Sequence, residues 1–133
     1  MKNILLALML ITGISSCTKD LDMAVKTNSK WVLTEWPGKT IPANAQATLN
    51  INDGNKIGGK SFCNTYGGNA KFNGNALQFS QIFGTKMYCT EVADAEVKFT
   101  ADLETVNSGK VDGGKLSLMK DGVVVMVFSK VSQ

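Results

Sequence analysis

The sequence predicts an α+β fold: a curled, mostly antiparallel β-meander with one amphipathic helix packed on it. Three observations carry this expectation. From Lys30 onward, short apolar runs alternate with turn residues. One segment, Thr90 to Asn107, changes period and repeats its apolar residues at steps of three and four. The last run, Val123 to Phe128, is apolar throughout. Alternation at every second residue marks half-buried strands, and steps of three and four mark the stripe of a helix. A continuous apolar strand asks for cover on both faces.

Lys30 to Trp36 reads as a first strand, stopped by Pro37-Gly38. Ala47 to Asn52 puts Leu49 and Ile51 on one face, Asp53-Gly54-Asn55 turns the chain, and Lys56 to Ser61 returns with Ile57 inward. Ala70 to Asn73 and Ala76 to Ser80 form a tight hairpin about Asn73-Gly74-Asn75, since Asn-Gly tolerates the positive φ of a type I′ turn. The helix stripe is Val92, Ala95, Phe99, Leu103 and Val106. Thr90 is its expected cap, Glu91, Asp94 and Glu96 suit the positive end of its dipole, and Asn107-Ser108-Gly109 stops it. Gly109 to Asp112, Lys115 to Lys120 and Val123 to Phe128 complete the meander, separated by Asp112-Gly113-Gly114 and Asp121-Gly122. A sheet of about seven to nine strands tends to curl toward a barrel.

Ahead of this domain stand two further segments. Residues 1–16 begin with Lys2, continue as the apolar run Ile4 to Ile14 and end in Ser15-Ser16 before Cys17. This is the pattern of an export signal, and its apolar core is shorter than the roughly 20 residues a membrane-spanning helix needs. Cys17 after two small residues resembles the lipobox of bacterial lipoproteins, in which the thiol is acylated before cleavage. Residues 17–29 are polar, show no sustained period and read as a flexible tether. Within them Lys19-Asp20-Leu21-Asp22 is similar to tags that send lipoproteins to the outer surface in some Gram-negative groups; the plain alternative is a soluble linker. The expected address is the cell envelope, as an outer-membrane lipoprotein on the periplasmic face or the cell surface.

Charge and composition narrow the function. The chain has fourteen basic residues, all lysine, against eleven acids, with no histidine. The lysines are spread evenly, which suits a solvated surface and not nucleic-acid binding. Without imidazole, Ser-His-Asp and Cys-His catalysis are excluded, and so are most catalytic zinc sites. An enzyme would have to rely on carboxylates, lysine or tyrosine.

Cys63 and Cys89 remain in the domain. In an exported chain the simplest reading is a disulfide, which on the chain-entropy model contributes about 3–4 kcal/mol for this loop length. The alternatives are a redox pair, which usually has closer spacing, or a metal site, which needs more ligands.

The residues around these cysteines carry a resemblance. Gly59-Lys60-Ser61-Phe62-Cys63-Asn64-Thr65-Tyr66-Gly67-Gly68 resembles the first box of the META/HslJ domain, and Gly84-Thr85-Lys86-Met87-Tyr88-Cys89 resembles its second. Glu96, Phe99 and Leu103 fall at that family's spacing, as do Trp31, Leu33 and the closing Gly114, Leu116 and Leu118. The similarity spans residues 30–130. Phe62 departs from it, because the family usually has glycine before the first cysteine. The resemblance implies an α+β domain of envelope lipoproteins, some linked to heat shock, drug tolerance or motility, and implies no catalytic residues. The boxes also have a structural reading: glycines for turns, Asn64 bonded to backbone, Met87 as core filler.

A disulfide would bring Asn64, Thr65 and Tyr66 beside Thr85, Lys86 and Tyr88, a polar and aromatic candidate surface for a protein partner. Trp31 and Trp36 are expected in the core, with an exposed Trp36 as the alternative. The reading that results is a monomeric, lipid-anchored, non-enzymatic envelope domain, without cofactor or metal, that binds or stabilises another envelope component. Its rivals are a small-ligand carrier using a barrel interior and a carboxylate-based hydrolase.

Overall fold

The computed structural model describes residues 21–25 and 28–132. The expected signal segment, residues 1–16, and the expected lipidation site, Cys17, lie outside the described residues. Eight strands run in sequence order around a closed antiparallel barrel: β1 (Ser29–Glu35), β2 (Thr48–Asn52), β3 (Lys56–Ser61), β4 (Asn64–Asn73), β5 (Ala76–Gly84), β6 (Ser108–Asp112), β7 (Lys115–Lys120) and β8 (Val123–Lys130). The barrel closes where β8 pairs with β1, with Leu33 opposite Phe128. The expected α+β meander with its helix is what forms, and its curl runs to closure.

An eight-stranded barrel is just wide enough to be filled by side chains. Trp31, Leu49, Leu77, Leu116, Leu118, Met126 and Phe128 fill this one and are almost wholly buried. The wall is thinnest between β5 and β6, which register only at Ala76 and Ser108. Helix α2 (Ala93–Thr105) connects these two strands and packs against β5 and β3. Its Phe99 has no exposed surface and meets the rings of Trp36, Phe62, Tyr66 and Phe128 at centroid distances of 5.8–6.4 Å. The helix starts later than Thr90: its N-cap is Val92 and no side chain caps it. Its first turn is held from the side, through Glu96.

Several expectations change. The tether expected over residues 17–29 gives way within the described residues to a short helix α1 (Leu21–Val25) and to Ser29 at the start of β1. Leu21 and Val25 are buried in the core, and Leu21 fills the space above Gly109 that a Cβ there would take. Ser29 Oγ then donates to Val25 O at 2.8 Å and accepts from Trp31 Nε1 at 2.9 Å, tying α1 to β1. β4 begins six residues before the predicted Ala70, and β5 continues to Gly84. β8 runs to Lys130; its Met126, Val127 and Phe128 are buried as expected of a covered strand, but Val123 is 67% exposed.

Trp36 is in the core. Its Nε1 donates to Asp102 Oδ2 at 2.8 Å, and Lys39 pairs with the same oxygen at 2.7 Å, so the loop after β1 is fastened to α2.

Candidate functional site

The β3–β4 connection carries the first cysteine box. Phe62 takes φ 74°, the left-handed region that favours glycine, so the departure at this position keeps the backbone a glycine would adopt. For a non-glycine residue that conformation costs about 1–2 kcal/mol. The ring offsets it: Phe62 is buried, stacked on Trp36 at 5.8 Å and edge-on to Phe99.

The turn aims two consecutive backbone N–H groups at α2. Cys63 N and Asn64 N donate to Glu96 Oε2 at 3.1 and 2.8 Å, and the Asn64 amide donates to Glu96 Oε1. Asn64 also reaches the second box. Its Nδ2 donates to Met87 O at 3.0 Å, and its Oδ1 accepts from Met87 N and Thr85 Oγ1, both at 2.8 Å. Thr65 and Thr85 add a reciprocal pair, Thr85 N to Thr65 O at 3.0 Å and Thr65 N to Thr85 Oγ1 at 3.2 Å. Cys63 and Cys89 are joined as a disulfide with Cα atoms 6.0 Å apart. One covalent bond and one asparagine therefore fix the Thr85–Cys89 segment to the barrel rim.

Partial burial acts to raise the Glu96 carboxyl, but hydrogen bonds from the Asn64 amide, the Asn64 and Cys63 backbones and Ser61 outweigh it and hold the group below its usual range. A depressed native value stabilises the fold above the unfolded-state range and is lost as pH falls through the native value. Glu96→Gln should thus cost about 2 kcal/mol at neutral pH, since it weakens charge-assisted bonds. It should also flatten the acid limb of stability against pH, measured by denaturant midpoints. An acid limb identical to that of the native protein would show that Glu96 is not the titrating clamp.

All six predicted contact residues gather at this rim, but they divide into two groups. Asn64 and Tyr66 are buried, which corrects their place as surface groups. Tyr66 donates through its hydroxyl to Thr48 O at 2.6 Å, and burial pushes that hydroxyl far above its ordinary range, so it stays protonated. Thr65, Thr85, Lys86 and Tyr88 are exposed. Met87, expected as core filler, is 63% exposed beside Tyr88 at 81%. Phe83, which the sequence reading passed over, is 72% exposed, and its ring lies across Gly67, where a Cβ would come within 2.8 Å of it. These side chains flank a cleft of 360 Å³ floored by Asn64, Tyr66 and Glu96.

Glu96 was legible as a helix-start acid and as a residue at the family's spacing, but not as the acceptor that clamps the turn. The missed signal is its position: it precedes Phe99 by three and Leu103 by seven, on the buried stripe, where a carboxylate requires donors. Glu91 and Asp94 do not line the cleft. Both thiols are spent on the disulfide, and among the described residues no three of Cys, Asp and Glu stand close enough to hold a metal.

A family model described as "META domain" matches residues 23–133. Two solved structures share the fold. "NMR structure of the protein from Burkholderia xenovorans" superposes with a TM-score of 0.72 at 21% identity, over 84% of this chain and 88% of the other. A second, "NMR structure of the protein", gives 0.61 at 16% identity, over 77% and 88%. Among curated proteins none matches. Neither the family nor the two structures carries a catalytic description, and at these identities the structural likeness is one of fold.

Proposed function

The chain belongs to the META domain family, and we propose that it works as a non-enzymatic, lipid-anchored envelope domain that binds another envelope protein through its disulfide rim. The observation that carries this reading is the exposure of Phe83, Met87 and Tyr88 together on a segment immobilised from beneath. Apolar side chains on a backbone already held in place leave less chain to order on binding, and aromatic groups on a fixed frame are common anchors of protein contacts. Lys86 and Thr65 supply the polar margin.

The rivals draw less support. A carrier needs interior space, and here Trp31, Leu49, Leu116, Leu118 and Phe128 occupy the barrel. A carboxylate hydrolase needs two acids across one cleft. Glu96 is the acid lining the rim cleft, and its oxygens are taken up by Asn64 and Cys63.

The test is photo-crosslinking in the native envelope from positions 65 and 86, with position 104 at the far end of α2 as control. A discrete product from the first two alone is expected, rising under heat stress if the family's stress link extends to this chain. Met87→Ala with Tyr88→Ala should reduce that product at least about tenfold, the loss of about 1.4 kcal/mol or more, while the melting temperature holds. Diffuse product from all three positions, or a product indifferent to the double substitution, would overturn the rim as the contact.

A further inference from the structure

Burial of Leu21 in the core leaves only residues 18–20 between Cys17 and the folded domain. Four fully extended steps span at most about 14 Å. A domain so close to its anchor meets the membrane surface with one particular end. We propose that this end is the one where the chain enters and leaves the barrel, and that Lys30, Lys115 and Lys130 there bind the phosphates of anionic lipid headgroups in the anchoring leaflet. This rests on the reading of Cys17 as the lipidated residue.

The three lysines stand on adjoining strands, β1, β7 and β8, and line a pocket of 620 Å³ with Ser29, Gly114 and Ser129. Among the described residues no acidic one lines it. Lys115 has one distant carboxylate, Glu35 at 3.9 Å, and Lys130 lies 6.0 Å over the Trp31 ring. Among the described residues neither Lys30 nor Lys130 has an acidic partner. Three lysines lining one pocket, with so little neutralisation among the described residues, suit phosphate oxygens at a charged surface, where each adds roughly fivefold to the affinity.

The pocket adjoins the junction of α1 with β1, the side from which the chain leads back toward Cys17. Ser29 bonds Val25, the last residue of α1, and α1 spans about 6 Å back to Leu21. Because the strands alternate in direction, the starts of β1 and β7 and the end of β8 lie at the opposite end of the barrel from the start of β4 and the end of β5. Seating the lysines on headgroups turns the Phe83–Met87–Tyr88 cluster away from the membrane, free for a partner.

The test uses the processed lipoprotein in phosphatidylcholine vesicles with or without phosphatidylglycerol, a water-soluble acetylating reagent, and mass spectrometry of each lysine. Lys30, Lys115 and Lys130 should slow at least about fivefold only with phosphatidylglycerol, and recover at high salt, while Lys60 and Lys86 keep their rates. Equal rates in both vesicles overturn the contact. Equal protection by inorganic phosphate in neutral vesicles also overturns it, in favour of a small-anion site. The same digest reports the mass of the N-terminal peptide. An unmodified Cys17 brings down the anchor reading and the inference together, whereas an acylated Cys17 with evenly reacting lysines brings down the headgroup contact alone.

Discussion

Phe99→Ala should remove about 3–5 kcal/mol of stability, the range for truncating a fully buried aromatic side chain. Domains of this size are stable by roughly 5–15 kcal/mol, so the variant would be close to unfolding. Four rings meet Phe99, and they come from the loop after β1, the β3–β4 turn, β4 and β8. A small shift of one neighbour does not easily refill the space, because two of the four rings are held by hydrogen bonds, Trp36 to Asp102 and Tyr66 to Thr48. The effect should reach the rim as well. Glu96 stands one turn before Phe99 on the same face, and a helix no longer seated by that ring holds Glu96 less firmly against Cys63 and Asn64. Denaturant midpoints measure the first effect, and faster amide exchange at Met87 measures the second. A loss below about 1 kcal/mol would assign the docking of α2 to Leu103 and the Trp36–Asp102 bond instead.

The helix was legible because its apolar residues repeat over four turns, and the later hairpins because Asn-Gly and Asp-Gly punctuate alternating runs. The first half of β4 was not. Gly67, Gly68 and Asn69 show no alternation, and the segment becomes strand through six paired positions with β3 and through Phe83 and Ile82, which occupy the room the glycines leave. Gly59 plays a related part, since its φ of 154° brings the backbone where a Cβ would strike Thr48 O. Helix α1 was illegible for another reason. Five residues cannot hold a helix alone, and the only local sign is Leu21 and Val25 one turn apart. Its stability comes from a partner surface on β6 that the local sequence does not reveal.

The rim was half legible. Proximity to the cysteines placed the six residues at one rim, where the structure gathers them, but did not give their orientation. With β4 starting at Asn64, period two sends Asn64, Tyr66, Gly68 and Ala70 inward and Thr65 outward, which is the burial found. The error about Asn64 and Tyr66 is thus an error about where a strand begins. The error about Met87 is different: its backbone N–H and C=O are both held by Asn64, and a residue gripped by its main chain has no need to bury its side chain.

Removing the disulfide, as Cys63→Ala with Cys89→Ala, should cost about 3–4 kcal/mol, mostly through the unfolded state. The intact protein should resist alkylation until reduced, and both thiols should label readily afterward. The native rim should change far less than the stability does. Asn64 bonds Met87 through both its donor and its acceptor, Thr65 and Thr85 bond each other, and none of these contacts needs the sulfur bridge. The bridge narrows the ensemble of the unfolded chain, while Asn64 and Glu96 set the shape of the folded rim. Crosslinking from position 86 should accordingly survive in the double alanine variant at temperatures where it remains folded, and should fall in Glu96→Gln, whose clamp is weakened. The opposite pattern, capture lost without the disulfide and kept without Glu96, would transfer control of the rim to the covalent bond. A stability loss well under 1 kcal/mol would instead mean that the loop is already nearly closed in the unfolded chain.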